Sequence, residues 1–341
     1  MKAAVYYAPD DIRYEELARP RIGPGEISVR VRSCGLCGTD IGKIVGRTVI
    51  PPIVLGHEVA GEVAEVGEGI KHFHPGDRVF VAHHVPCFTC HYCRHGNHSL
   101  CQQFRSTNID PGGFAEYIRV PAPNVEKTTF LLPENLSFEE ASLIEPTACC
   151  LRVIKRCPTQ PGDTVVVIGV GPMGLLHLQL ALLLGAGQVI ALDLIEQRLE
   201  TAKKLGAKYS LNPEKENPLE VVKQLTEGRG ADAAIVAVGN VSAIAQAINL
   251  VRGGGTVILF AECPPRSSLS LDPNIIYHSE VNLSGSYSST PDEQRTALEL
   301  IKTGKLKVKE LITHRFPLEM LGEAVTLARN PRESLKIIIT P

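Results

Sequence analysis

The sequence contains no apolar run long enough to cross a membrane. Its best candidate, residues 174–187, includes His177 and Gln179 and is shorter than the roughly 18–20 apolar residues that a spanning helix requires. A surplus of either charge is also missing, because 35 basic and 37 acidic side chains leave a formal net charge of -2. Nucleic acids and anionic membranes bind proteins with a basic surplus, so neither is an expected partner.

Signals for export and for disorder are missing as well. The N-terminal segment carries one lysine and a short apolar run, and the chain shows neither repeats nor a low-complexity tract. Hydrophobic residues make up 44% of the chain and charged residues 21%, which is typical of a globular protein. A length of 341 residues favours two domains. We expect a soluble, cytoplasmic protein.

Ten cysteines stand out against this ordinary composition. In a cytoplasmic protein they are more typical of metal ligation or core packing than of disulfides. Four of them form the pattern C-x2-C-x2-C-x7-C: Cys87, Cys90, Cys93 and Cys101. Four thiolates so close in sequence can surround one tetrahedral Zn²⁺ and leave no position for a substrate, which predicts a structural zinc site. An iron–sulfur cluster and four unrelated core cysteines are the alternatives.

A second, looser set of metal-binding residue types comprises Cys37, His57 and Glu58. Mixed sulfur, nitrogen and oxygen ligands from separate segments, with one coordination position left open, are what a catalytic zinc requires. Each residue alone is weak evidence, since Cys37 could be a small core residue and the His-Glu pair a coincidence. Cys34 and Cys37 also form C-x-x-C, but no βαβ pattern follows it, which argues against a redox pair.

Hydrophobic periodicity divides the chain into two kinds of structure. In the first 130 residues, short segments such as 27–32 and 62–66 alternate apolar and polar side chains between Pro-Gly turns, which predicts antiparallel strands. Farther along, strand candidates such as 164–168 and 256–260 alternate with helical stretches. This alternation predicts a doubly wound parallel sheet, so the expected fold class is α/β.

A glycine motif follows the first strand of the second part. Residues 169–174 read G-x-G-x-x-G and open a helix, which is the context that identifies a dinucleotide-binding loop; its glycines are Gly169, Gly171 and Gly174. Asp193 comes nineteen residues after the last glycine. A carboxylate at this position binds the adenosine ribose hydroxyls and repels a 2'-phosphate, which favours NAD over NADP. Arg198 either lies beside the adenine or is a solvated helix arginine.

Taken together and in this order, these motifs resemble the zinc-dependent medium-chain dehydrogenases over essentially the whole chain, and most of all the polyol (sorbitol-type) dehydrogenases and L-threonine 3-dehydrogenase. The residues that carry the resemblance are the Cys-Gly-Thr-Asp at 37–40, the Gly-His-Glu at 56–58, the cysteine lobe and the glycine motif. The resemblance implies a GroES-like, β-rich catalytic domain at 1–150 with the zinc lobe at 87–101, a Rossmann domain at 151–287, and a return to the catalytic domain at 288–341.

The resemblance also implies roles for individual residues. Cys37, His57 and Glu58 would be ligands of a catalytic zinc, and Glu145 would bind that zinc directly or through water. Thr39 would pass the alcohol proton outward. Further cofactor contacts are implied at Met173, Phe260, Ser286 and Tyr287.

At two positions the resemblance does not decide the role of a residue in the active site. Many relatives have a histidine five residues after the zinc cysteine, where this chain has Gly42, so the proton relay would end in water, in Lys43 or elsewhere. His84 matches a position where threonine dehydrogenases carry an active-site histidine. It could instead be an incidental loop histidine beside His83.

The expected function is oxidation of a secondary alcohol to a ketone by hydride transfer to NAD, with two zinc ions per chain. A polyol or sugar-like alcohol is the first choice of substrate, because Glu145 occurs where polyol dehydrogenases have a glutamate. L-threonine is the alternative, and a non-catalytic or zinc-free NAD-binding relative is a minor one. The resemblance further implies a homo-oligomer, a dimer or tetramer, that assembles through the sheet edge near residues 282–287.

Overall fold

The computed structural model describes all 341 residues, which form two compact units. The first unit comprises Met1–Ala148 and Ser289–Pro341, and the second comprises Cys149–Ser288. No helix is long and apolar enough to span a membrane.

The N-terminal part of the first unit is rich in short strands. Its strands are β1 (Lys2–Ala8), β2 (Asp11–Glu16), β3 (Ile27–Leu36), β4 (Ile53–Val54), β5 (Glu58–Val66), β6 (Arg78–Ala82), β7 (Tyr117–Val120) and β8 (Thr129–Leu131). Its helices are α1 (Gly38–Gly46), α2 (His91–Arg94), α3 (Gln102–Ser106), α4 (Ala122–Lys127) and α5 (Phe138–Ser142), with a 3-10 turn at His98–Leu100. The boundary with the second unit falls inside the next helix, α6 (Ile144–Arg156).

The second unit alternates strands and helices. In chain order they are β9 (Thr164–Ile168), α7 (Pro172–Leu183), β10 (Gln188–Leu192), α8 (Glu196–Lys204), β11 (Tyr209–Leu211), α9 (Pro218–Leu225), β12 (Ala231–Val236), α10 (Val241–Leu250), β13 (Val251–Leu259), α11 (Pro273–Ser279) and β14 (Asn282–Gly285). The chain then completes the first unit with α12 (Pro291–Lys302), β15 (Ile312–Pro317), α13 (Leu321–Ala328) and β16 (Lys336–Thr340), and with 3-10 turns at Lys309–Leu311 and Leu318–Met320.

A seven-stranded sheet organises the first unit, with the order β15-β16-β3-β5-β6-β8 and with β7 paired to β3. The long strand β3 is its centre, because Ile27, Val29 and Val31 bury alternate side chains in the core. The C-terminal strand β16 pairs antiparallel with β3, and β5 pairs on the other side of β3. Residues from both ends of the chain therefore meet across β3.

A six-stranded sheet organises the second unit, with the order β11-β10-β9-β12-β13-β14 and every pairing parallel. The central strand β9 is buried at all five positions, as strands covered on both faces by helices are. The strand order reverses at β9, which is where a doubly wound sheet binds its ligand. The predicted fold class is thus confirmed. Strand β13 begins at Val251 rather than at Thr256, because both residues pair with β12 on either side of a register shift, within which Gly254 adopts the left-handed conformation (φ +71°).

Candidate metal centres and nucleotide-binding loop

Cys37 is positioned by the start of a helix. It is the N-cap of α1, its backbone N–H donates to Asp40 at 3.2 Å, and its Sγ accepts from the backbone N–H of Thr39 at 3.4 Å. A helix N-terminus stabilises a thiolate, because its free N–H groups and the positive end of its dipole face the sulfur. The local fold therefore holds the Cys37 sulfur at the start of α1, where a backbone N–H group faces it.

His57 and Glu58 meet Cys37 at the beginning of β5. One ligand atom from each of these three residues lies within 4.8 Å of the others. His57 Nδ1 lies 3.3 Å from Asp40 Oδ1, and Asp40 is fully buried. Because this contact occupies Nδ1, the other ring nitrogen remains for a metal ion, in the arrangement by which a carboxylate orients a ligating histidine.

Electrostatic interactions couple His57 to Asp40 and to Cys37. Burial by itself would lower the pKa of His57, but Asp40 and Cys37 raise that pKa well above its ordinary value. Burial would likewise raise the pKa of Asp40, yet His57 lowers it below its usual range. A thiolate, an imidazole and a carboxylate around one point form a donor set that suits zinc.

Lys336 is a site residue that the sequence analysis missed. Its side chain is 4% exposed, its Nζ forms an ion pair with the fully buried Glu58 carboxylate, and it donates to the Leu36 carbonyl at 3.2 Å. Burial opposes the charge of Lys336, but Glu58 and Cys37 raise its pKa, with a smaller contribution from Glu145. A Cβ on Gly35 would overlap the Glu58 carboxylate, so glycine is required there. The sequence feature that could have indicated this residue is its position as a lysine at the start of the apolar strand KIIIT.

Three other predicted positions are not part of the metal-binding cluster: Glu145, Thr39 and Gly42. Glu145 is 6% exposed and lies in the first turn of α6, near enough to Lys336 to influence its pKa. Thr39 is exposed on α1, and a Cβ on Gly42 would meet no atom within 4 Å. The position of Gly42 therefore opens onto free space rather than onto protein.

Three histidine rings form a row that starts at the cluster. The His57 and His83 ring centroids are 4.7 Å apart, and those of His83 and His84 are 4.0 Å apart. His84 also packs on Phe104 at 4.9 Å, and its Nδ1 donates to the Thr107 carbonyl at 2.5 Å. Burial lowers the pKa of His84 to about 4 and that of His83 well below its ordinary value. It is His83, rather than His84, whose ring contacts His57.

The four cysteines of the lobe also converge. Their sulfur atoms lie within 4.8 Å of one another, with Cys87 and Cys93 at 4.0 Å, close to the edge of about 3.8 Å expected for a tetrahedron with 2.3 Å Zn–S bonds. Backbone N–H groups of Cys90 and Cys87 donate to the sulfurs of Cys87 and Cys101 at 3.3 and 3.4 Å. Phe104 is the buried side chain beneath them. The lobe has little other core, so a shared metal ion would hold it together.

The glycine motif forms a tight turn between β9 and α7. Gly169 has φ +85°, and a Cβ on Gly174 would overlap the Gly169 carbonyl. Gly171 is the N-cap of α7, so the first amides of the helix are free to bind phosphate. Asp193, at the end of β10, accepts from the backbone N–H groups of Val170 at 2.8 Å and Ile195 at 3.0 Å. Asp193 thus belongs to the loop structure itself.

The remaining predicted cofactor residues surround this loop or lie at the same edge of the sheet. Arg198 Nη1 lies 3.8 Å from Asp193, and its side chain is only 16% exposed. The Met173 carbonyl accepts from Cys150 at 3.6 Å. Phe260 and Ser286 follow the carboxyl ends of β13 and β14, where ligands of parallel sheets bind. Ser286 is buried with its hydroxyl unpaired, and the neighbouring Tyr287 is 66% exposed.

Comparisons with known proteins agree with this geometry. The family model of the alcohol dehydrogenase GroES-like domain matches residues 23–131, and that of zinc-binding dehydrogenases matches residues 172–303. The chain is 36% identical to a sorbitol dehydrogenase of Bacillus subtilis, over 100% of this chain and 97% of that protein. It is 34% identical to an L-threonine 3-dehydrogenase of Pyrococcus furiosus, over 88% of this chain and 87% of that one.

Solved structures extend the match. The crystal structure of galactitol-1-phosphate dehydrogenase from Escherichia coli is 30% identical and superposes with a TM-score of 0.90 over 100% of both chains. Because the relatives that span the whole chain are named dehydrogenases, a non-catalytic relative of the fold is set aside. The fold, the two sets of metal-binding residues and these matches establish that the chain belongs to the zinc-binding, medium-chain alcohol dehydrogenases, oxidoreductases that act on CH–OH groups with a nicotinamide cofactor.

Proposed function

We propose that this protein is a zinc- and NAD-dependent dehydrogenase that oxidises a secondary alcohol of a polyol or sugar-like substrate to the ketone. The observation that carries the proposal is the cluster of Cys37, His57 and Glu58, whose ligand atoms lie within 4.8 Å of one another. Three ligands leave the fourth position of a tetrahedral zinc free for an alcohol oxygen.

The chain's own residues prepare this centre. Asp40 orients the ring of His57 through Nδ1, and the N-terminus of α1 holds the Cys37 sulfur in place. Glu145 is close enough to Lys336, the partner of Glu58, to influence its pKa, and we assign Glu145 to the metal directly or through a water molecule. When bound, the zinc polarises the alcohol oxygen and lowers its pKa, and the nicotinamide accepts the hydride.

A proton must leave the alcohol, and Thr39 is the proposed first carrier. Its hydroxyl is exposed two residues after Cys37. Since Gly42 borders open space, water is the proposed end of the relay, and Lys43 is the alternative. His84 is proposed as a positioning residue, because its Nδ1–H is committed to Thr107 and its ring supports His83.

The proposed cofactor is NAD, held by Gly169, Gly171 and Gly174. Asp193 is the reason for proposing NAD over NADP, because its carboxylate disfavours a 2'-phosphate on the ribose. Arg198 is proposed to cover the adenine. The proposed contacts at the carboxyl edge of the sheet and in the loop are Met173, Phe260, Ser286 and Tyr287.

The cysteine lobe is proposed to hold a second, structural zinc within the catalytic domain of residues 1–150. The Rossmann domain would be residues 151–287, and residues 288–341 would complete the catalytic domain. A homodimer or homotetramer in the cytoplasm is the proposed assembly, with β14 as its contact, since all four residues of that edge strand are exposed.

A polyol is favoured as the substrate over L-threonine. The sorbitol dehydrogenase of B. subtilis matches the whole chain, and Glu145 occurs where polyol dehydrogenases have a glutamate. L-threonine remains the second candidate, because His84 matches the threonine dehydrogenase position and the P. furiosus enzyme matches 88% of the chain.

NAD reduction with xylitol, sorbitol, inositol and L-threonine tests the assignment. We expect turnover with at least one polyol to exceed turnover with threonine. Cys37→Ser should abolish this activity, whereas Cys263→Ser, a change outside both metal sets, should retain it. Faster turnover of threonine would reverse the ranking, and activity that survives Cys37→Ser would refute the metal assignment.

A further inference from the structure

We propose that His83 recognises the hydroxyl group next to the reacting carbinol, so that the enzyme selects vicinal diols over simple secondary alcohols. The inference rests on the proposed function and narrows the substrate class from secondary alcohols to vicinal diols. It concerns a residue to which neither the motifs nor the family resemblance assigned a role.

The sheet register places His83 beside the metal cluster. Strands β5 and β6 pair antiparallel from Glu62 and Arg78 to Glu58 and Ala82. One further step along this ladder brings residue 57 opposite residue 83, and opposite residues of an antiparallel pair project to the same side. The centroid distance of 4.7 Å between the two rings agrees with that placement. The His83 ring therefore lies against the ring of His57, one of the three clustered residues.

Among the three adjacent rings, that of His83 differs in having an Nδ1 atom without a partner. His57 uses Nδ1 toward Asp40, and His84 uses Nδ1 toward Thr107. Nδ1 of His83 is buried and has no partner, although the residue as a whole is only half-buried. A buried polar atom without a partner is costly, and native proteins retain few of them. A ligand that displaces the atoms covering this nitrogen and supplies the missing partner would remove this cost.

The hydrogen-bonding groups of the His83 ring match a hydroxyl group better than an ammonium group. Neutral imidazole offers one donor and one acceptor, which matches the two roles of a hydroxyl. An ammonium group only donates hydrogen bonds, so it would use the acceptor nitrogen of the ring and leave the donor unpaired. In L-threonine the carbon next to the carbinol carries an ammonium, whereas in a polyol it carries a hydroxyl. His83 therefore supports the polyol assignment.

Butane-2,3-diol and butan-2-ol differ by this one hydroxyl and test the proposal. All stereoisomers are assayed as substrates, or as competitive inhibitors against the best polyol, and the diol-to-monoalcohol ratio of kcat/KM or of affinity is compared between variants. In His83→Leu we expect this ratio to fall about tenfold or more, the usual effect of an unpaired hydrogen-bonding partner. His83→Asn should restore part of the ratio, and His72→Leu, a change on the exposed surface, should leave it unchanged.

Zinc content and circular dichroism verify that each variant is folded. An unchanged ratio in a folded His83→Leu protein would overturn the proposal. A parallel loss for both alcohols would overturn it too, because His83 would then act through His57 and not on the second hydroxyl. If wild-type protein acts on no alcohol in either experiment, the proposed function fails and the role of His83 fails with it.

Discussion

Replacing Lys336 by methionine should destabilise the first unit strongly, because the change leaves Glu58 buried without its cation. Glu58 is fully buried and Lys336 is 4% exposed, so water cannot compensate for the lost charge. Methionine retains most of the length of the apolar stem, so packing is largely preserved. Removing one partner from a buried ion pair costs about 3–5 kcal/mol. That is roughly a hundredfold or more in the unfolding equilibrium.

Urea denaturation of metal-free protein measures the effect, followed by circular dichroism because the chain has no tryptophan. Hydrogen exchange of β3, β5 and β16 locates the loss in the first unit. The matched control is Lys2→Met, whose partner Glu16 lies at 3.8 Å on the surface, where ion pairs contribute little.

The double variant Lys336→Met/Glu58→Gln separates charge from packing. It should regain most of the lost stability, because it no longer buries an unpaired carboxylate. A loss below about 1 kcal/mol in the single variant would refute the reasoning, and so would an equal loss in the single and double variants.

Three further predictions follow from other parts of the molecule. Asp193→Ala should reduce the preference for NAD over NADP about tenfold or more, since hydrogen bonds to a charged group are lost; equal KM ratios in variant and wild type would contradict the ribose assignment. Burial lowers the pKa of His177 to about 3, so the unfolded state binds the extra proton below pH 6.5 and the contribution of His177 to stability should fall by about 2 kcal/mol between pH 7.5 and 5. His177→Leu should flatten this part of the urea-midpoint profile, and an identical profile would contradict it. Leu283→Lys on β14 should yield a smaller particle in light scattering, whereas an unchanged mass would exclude this edge as the contact.

The sequence predicted those parts of the site whose residues are close together in the chain. The cysteine lobe and the glycine motif each lie within one short segment, so spacing alone indicates their chemistry. The parallel sheet was predictable from its alternating pattern, because strands such as β9 are buried on both faces. Cys37, His57 and Glu58 lie farther apart, and only their combination with the other motifs indicated a metal centre.

Contacts between strands that are far apart in the chain could not be predicted from the sequence. Lys336 meets Glu58 because β16 and β5 flank β3, and no local pattern specifies that pairing. The choice between His83 and His84 likewise depends on the three-dimensional structure, in which only the His83 ring lies against His57, just beyond the last pair of the β5–β6 ladder. The early start of β13 was missed because three successive glycines, Gly253, Gly254 and Gly255, do not resemble a strand, whereas the structure places them in a register shift between two residues that both pair with β12.

The central claim is that each chain holds two zinc ions in separate sites. Elemental analysis of purified protein by mass spectrometry, with Cys37→Ser and Cys93→Ser as single-site variants, tests it most directly. We expect about two zinc ions per chain in wild type and about one in each variant. In Cys93→Ser, amide hydrogen exchange in the cysteine lobe should also become faster. Wild-type protein that oxidises alcohols while containing no zinc would contradict it.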